Sequence, residues 1–167
     1  MEDAYQPELW RPIYFMLGSA AAGLVGLLFV VTSIHLDVVK NNPDYILPAR
    51  NNTFHLLTLL VEAVLILMPQ PQSVLGAELI AINLFGLRLP VDITLRYFRK
   101  NIGINDPRFP IYIIVTIVAG YLLGVAGGVG LIEHANWGMY LITASFVIIL
   151  VRTVLTAWNL MFGLHIG

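Results

Sequence analysis

Asn51, His55, Thr58 and Glu62 follow one another at spacings of four, three and four residues. That spacing puts all four on one face of any helix that carries them. From Phe54 onward the sequence between and beyond them is apolar, ending in Ala63-Val64-Leu65-Ile66-Leu67-Met68. An ionisable side chain in such surroundings is costly, and it marks an ion or proton route or else pairs with a countercharge. Desolvation favours the neutral acid. Glu62 is thus the first candidate proton carrier, with His55 as relay and Thr58 as the hydroxyl between them. The structural alternative is a paired acid, for which Arg88 and Arg152 are the candidate partners. Arg152 shares a face with Ser145, Thr156 and Asn159, at spacings of seven, four and three. That face is polar enough to suit a bundle interior or a wet cavity, so Arg152, Arg88 and Asn159 complete the candidate pathway. Losing one member of a buried pair would strand the other charge.

Other polar groups carry weaker signals. Arg88, Asp92 and Arg96 recur every fourth residue, a pattern that neutralises charge along a helix surface or attracts anions. Glu78 and Asn83 extend the polar character of this segment but do not share one face with Arg88. His35 and His55 would need to converge from opposite sides to ligate a haem, and their spacing does not impose that. Glu133-His134 reads as an exposed polar turn rather than a metal site. The chain has no cysteine, which excludes disulfides, thiolate metal sites, Fe–S clusters and cysteine nucleophiles. No HExxH, GxSxG or phosphate-binding glycine loop occurs. No cofactor is expected, and the reading leans away from an enzyme. The net charge of −1 and the absence of a Lys/Arg run leave nucleic acid without an electrostatic footprint.

The elements that position these residues must be membrane helices. Of 167 residues, 58% are hydrophobic and 11% charged, and the mean hydropathy is +0.82; soluble domains are about one quarter charged. A spanning helix needs roughly 20 apolar residues. Five segments meet or approach that length, at about 12–36, 53–68, 73–97, 109–132 and 137–162. The chain is therefore expected to form a single domain, an all-α integral membrane bundle of about five transmembrane helices. The acidic segment before residue 11 lacks the basic start of a signal peptide, so the first segment reads as a retained span. The run from Asp37 to Asn52, with Pro43 and Pro48, reads as a cytoplasmic loop, and Pro69-Gln70-Pro71-Gln72 as a tight turn. Arg88, Pro90 and Asp92 interrupt the third segment; if it leaves the membrane there, the crossings fall to four.

With five crossings, Lys40, Arg50, Arg96, Arg99, Lys100 and Arg108 fall on one side and only Arg11 on the other. Cytoplasmic loops carry the excess of Lys and Arg, so the N-terminus is expected outside and the C-terminus inside. Trp10, Tyr14, Trp137 and Tyr140 would anchor the outer interface. Gly18, Ala22 and Gly26 on the first segment, and Thr116, Gly120, Gly124 and Gly128 on the fourth, recur every fourth residue. Small residues let helix backbones approach closely in lipid, either within one chain or between copies. Five short helices enclose little space, so conduction would call for a homo-oligomer. The expected function is a homo-oligomeric channel or proton- or ion-conducting protein. The competing expectation is a non-catalytic accessory or regulatory subunit bound to other membrane proteins.

Between Gly18 and Glu78 lie Gly26-Leu27-Leu28-Phe29-Val30 with Ser33, then Pro48-Ala49-Arg50, Pro69-Gln70-Pro71 and Gly76-Ala77-Glu78. This half of the chain resembles a family of small multi-pass bacterial membrane proteins, some of them described as modulators of a membrane protease. The resemblance implies a bacterial inner membrane and says little about activity.

Overall fold

Pro7 opens the first helix where a proline's missing N–H has no intrahelical partner to lose, and Glu8 in the first turn complements the helix dipole. In the computed structural model, residues 7–34, 36, 43–99 and 111–163 are described. They form α1 (Pro7–Ile34), α2 (Pro43–Leu67), α3 (Gln72–Arg99), α4 (Ile111–Ile132) and α5 (Gly138–Gly163), with no strand among the described residues. Four of these helices are long and apolar enough to cross a membrane, over Glu8–Ile34, Gln72–Asp92, Ile114–Ile132 and Gly138–Trp158.

Two expectations change. The loop expected over 37–52 is helical from Pro43 onward, because proline is well suited to a first helical position and does not by itself signal a loop. The doubtful crossing also moves. The third segment qualifies as a span, and its helix continues through Pro90 to Arg99. It is α2 that falls short in apolar length, since its 25 residues include Asp44, Arg50, Asn51, Asn52, His55 and Glu62. The loop residues Lys40, Lys100 and Arg108, together with His35 and Asp37, lie outside the described residues, as do the side chains of Arg96, Arg99 and Asn159.

The chain divides into two compact units. One, the α1–α2 unit, holds Pro7–Pro69 and α5 from Leu150 onward; the other, the α3–α4 unit, holds Gln70–Ile149. In the α1–α2 unit, Tyr14, Leu17, Ala21 and Leu28 of α1 are buried, as are Leu56, Leu59, Ala63 and Ile66 of α2. In each helix these positions recur at steps of three, four or seven residues along one face. A Cβ added at Gly18 would lie 2.9 Å from that of Ala63, so α1 and α2 approach closely there. In the α3–α4 unit the buried set is Leu75 and Leu79 from α3, Ile117, Tyr121 and Leu131 from α4, and Met139, Ile142, Phe146 and Ile149 from α5.

The turns are closed by local hydrogen bonds. The Pro71 carbonyl accepts from the amides of Val74 (3.1 Å) and Leu75 (3.0 Å) and starts α3. α4 ends in paired bonds from the Ala135 amide to the Gly130 carbonyl (2.8 Å) and from the His134 amide to the Leu131 carbonyl (3.1 Å). This is the Schellman arrangement, which places one residue in the left-handed region and usually assigns it to glycine. Here that residue is His134, at φ 57°.

Candidate functional site

α2 is built inside out. Its exposed positions include Leu57, Val61 and Val64, while Asn52, His55, Thr58 and Glu62 are buried at 3, 3, 5 and 1% exposure. A helix in water would present the opposite pattern. Lipid-facing helices do the reverse, because hydrocarbon offers polar groups no partner and the protein interior does. α1 follows suit, with Phe15, Met16, Phe29 and Ile34 all turned outward.

The polar stripe therefore faces the interior of the α1–α2 unit. Thr58 donates its hydroxyl to the Phe54 carbonyl at 2.9 Å, one turn back. The His55 ring stands edge-on to Phe54, with centroids 5.9 Å apart and planes at 75°. Asn52 donates from Nδ2 to the Thr153 carbonyl of α5 at 3.5 Å, a long and therefore weak bond that ties the stripe to the second half of α5. Between His55 and Glu62 the helix rises by about 10 Å, several hydrogen-bond lengths. A proton passing between them would need the Thr58 hydroxyl, water, or both as intermediates.

On α5, Arg152 is half-buried and belongs to the same unit as Glu62. Thr156 is half-buried beside it and donates to the Arg152 carbonyl at 3.0 Å. The most deeply buried polar residue of this stretch is Thr153, at 1% exposure. Ser145 is also buried, but in the α3–α4 unit, with no hydrogen-bond partner for its hydroxyl among the described residues. The expected face of Ser145, Arg152 and Thr156 is thus divided between the two units. Arg88 lies in the α3–α4 unit, and both it and Asp92 are exposed.

The glycine stripes separate as clearly. On α4, a Cβ at Gly128 would stand 2.8 Å from the Gly76 carbonyl of α3, and one at Gly124 would collide with the Asn83 amide. A Cβ at Gly120 would instead meet Ile149 of α5 at 2.7 Å. All three are used in close packing within the chain. On α1 only Gly18 is used in this way: Ala22 and Gly26 are exposed, and nothing lies within 4 Å of a Cβ at Gly26.

Three features escaped the sequence reading. Asn52, rather than the half-buried Asn51, lies on the buried face; the apolar positions Leu56, Leu59, Ala63 and Ile66 set its phase and would have selected it. Tyr14, expected as an interfacial anchor, is fully buried, whereas Trp137 and Tyr140 are exposed. The two turns of the α3–α4 unit also meet, His134 Nδ1 lying 3.2 Å from Gln72 Oε1. Beside them Gln70 donates to Glu78 at 2.9 Å. Such long-range polar contacts leave no periodic trace in the sequence.

Among the described residues no three His, Cys, Asp or Glu side chains cluster as a metal site would require. No protein-family model matches the chain, and neither a curated protein nor a solved structure matches it.

Proposed function

We propose that the protein is a multi-pass protein of a bacterial inner membrane that assembles with copies of itself and conducts protons or small ions. The observation that carries this reading is the inverted polarity of α2, which holds His55, Thr58 and Glu62 inside and aliphatic side chains outside. Maintaining a carboxyl at 1% exposure costs stability, and burying charge without a functional return is rare in membrane helices. In this reading Glu62 takes up and releases the proton, His55 passes it along, and Thr58 bridges them with water. Arg152 sets the field of the route from α5. The outward-facing Ala22 and Gly26 of α1 give a second copy a smooth surface for close approach.

The proposed topology has five crossings, with the N-terminus outside and the C-terminus in the cytoplasm. It rests on the six-to-one partition of Lys and Arg. The Gln72–His134 contact supports a shared side for the two short turns.

Proteoliposomes carrying an internal pH dye and an imposed potassium diffusion potential test the reading. Wild-type protein is expected to pass protons, and Glu62→Gln to abolish the flux while leaving the particle intact. Undiminished flux in Glu62→Gln would remove Glu62 from the pathway.

A second reading, an accessory subunit of a larger membrane complex, is favoured by a different observation. The grooves flanked by Leu27 and Val151, and by Val91 and Val118, are lined by apolar side chains and contain no residue of the stripe. The mass of the particle purified from native membranes separates the readings. A homo-oligomer supports conduction, and a partner of different sequence in fixed ratio supports the accessory role.

A further inference from the structure

One hydroxyl is left over in the interior of the α3–α4 unit. Ser145 of α5 is 1% exposed, and its Oγ has no hydrogen-bond partner among the described residues. A hydroxyl on a helix commonly returns a bond to the carbonyl four residues back. Thr116 and Thr143 of the same unit do so, donating to Tyr112 and Met139, each at 2.8 Å. Ser145 makes no such bond, so its hydroxyl is not folded back onto α5. It lies inside the apolar stretch Gly138–Trp158, about 10 Å from its start. Bulk water does not reach a polar group at that depth, and leaving one unsatisfied there is costly.

The neighbours of Ser145 on α5 fix what it faces. A Cβ at Gly127 of α4 would stand 2.6 Å from Ile142, and one at Gly120 would stand 2.7 Å from Ile149. Ser145 comes three residues after Ile142 and four before Ile149, on the same face of α5. It is therefore set against the stretch of α4 between Gly120 and Gly127, whose middle is Gly124. Asn83 of α3 reaches the same point from a second direction. Its carboxamide occupies the place that a Cβ of Gly124 would take, with Oδ1 the nearest atom. Asn83 is 0% exposed, and its Nδ2 donates to the Leu79 carbonyl at 2.9 Å, which leaves Oδ1 toward α4. A donor on α5 and an acceptor on α3 thus meet the same glycine of α4 without bonding to each other.

We propose that a single buried water molecule is bound at this point, accepting from the Ser145 hydroxyl and donating to Asn83 Oδ1. The chemistry of the two groups selects it. Neither carries a charge, so an ion placed here would lack a countercharge at membrane depth. A buried water makes two to four hydrogen bonds. Ser145 and Asn83 supply two, and the second lone pair of an α4 carbonyl can accept a third. Gly124 contributes no side chain at this level and Ser145 only a short one. The water joins α3 to α5 across the bare backbone of α4. Every group involved belongs to the α3–α4 unit, so the inference stands whether or not the stripe of α2 conducts.

The test is magnetisation transfer from water to backbone amides, measured by solid-state NMR on the full chain in deuterated lipid. The amides of Gly124 and Ser145 are expected to receive signal from water, while that of Ile149, equally buried, stays dark. Ser145→Ala should remove the transfer to Gly124. It should also lower the unfolding midpoint in detergent by a few degrees, whereas deleting a hydroxyl that bonds to nothing would raise it. Asn83→Ala should lower the midpoint as well, and the double variant should lose less than the two single losses together. If Asn83→Ala does not assemble, the two readouts on Ser145→Ala decide by themselves. A Gly124 amide that stays dark in the wild type overturns the proposal. So does a water signal that survives Ser145→Ala, a Ser145→Ala midpoint at or above that of the wild type, or strict additivity in the double variant.

Discussion

The two units of the chain solve the same problem by opposite means. Both must join helices where hydrophobic contact supplies little drive, because lipid tails are as apolar as the side chains. The α3–α4 unit does it with shape. Gly76 and Gly128 bring two backbones together so that a Cβ at Gly76 would stand 2.7 Å from the Gly128 carbonyl, and Gly124 makes room for the Asn83 amide. The α1–α2 unit uses one glycine in this way, Gly18, and otherwise encloses Asn52, His55, Thr58 and Glu62. Close backbone packing needs no chemistry. A row of buried polar side chains is a standing cost, and it is the feature on which the proposed function rests.

Substituting glycines in the two units should separate them most sharply. Gly76→Ala places a methyl against backbone atoms that cannot rotate away, and overpacking of this kind costs about 1–3 kcal/mol. Gly23→Ala, where nothing lies within 4 Å, should not lower the unfolding midpoint in detergent. Equal losses in the two variants would show that glycine acts through backbone freedom rather than close approach, and the contrast between the units would fail.

Backbone geometry in the α3–α4 unit gives a smaller effect. His134 holds a left-handed conformation at the end of α4 and touches Gln72 across the two turns. His134→Ala loses the contact and keeps the strain, whereas His134→Gly loses the contact and relieves about 1 kcal/mol of strain. The glycine variant is therefore expected to unfold later than the alanine variant. If the two unfold together, the turn is not under the constraint its φ implies.

The smallest expected effect lies in the polar unit itself. Asn52→Ala removes a bond of 3.5 Å to the Thr153 carbonyl. Interhelical hydrogen bonds in membrane proteins average about 0.6 kcal/mol, and a long one should contribute no more than that. A loss several times larger, measured by denaturant titration in detergent, would mean that the stripe holds the unit together. Its residues would then be structural glue rather than a route.

The polar stripe of α2 was legible in the sequence, the division into two units was not, and the failures are instructive. The stripe of His55, Thr58 and Glu62 was found from spacing alone, because helical periodicity does not depend on what surrounds the helix. Both limits of α3 and α5 and the end of α4 lie within two residues of the expected ones, apolar length being a local property, whereas α1 begins at Pro7, five residues before its expected start. The start of α2 was missed because Pro43 has two meanings, loop breaker and first helical residue, and composition does not choose between them. Tyr14 was taken for an interfacial anchor because aromatic residues near a span end often are; its burial follows from sharing a face with Leu17, Ala21 and Leu28. The glycines of α4 were seen as one stripe, yet Gly124 and Gly128 meet α3 while Gly120 meets α5. A fourth-residue repeat drifts around the helix by about 40° per step at 3.6 residues per turn, which is enough to change neighbours within a few turns.

The most direct test of the account is proton flux through proteoliposomes reconstituted at matched protein density with wild type, Glu62→Gln and Arg11→Ala. Arg11 pairs with Glu8 on the exposed end of α1 at 3.1 Å and serves as the neutral control. The account predicts equal flux from wild type and Arg11→Ala, and flux at the level of empty vesicles from Glu62→Gln. Flux in Glu62→Gln equal to wild type would contradict it, as would a wild-type protein no more conductive than empty vesicles.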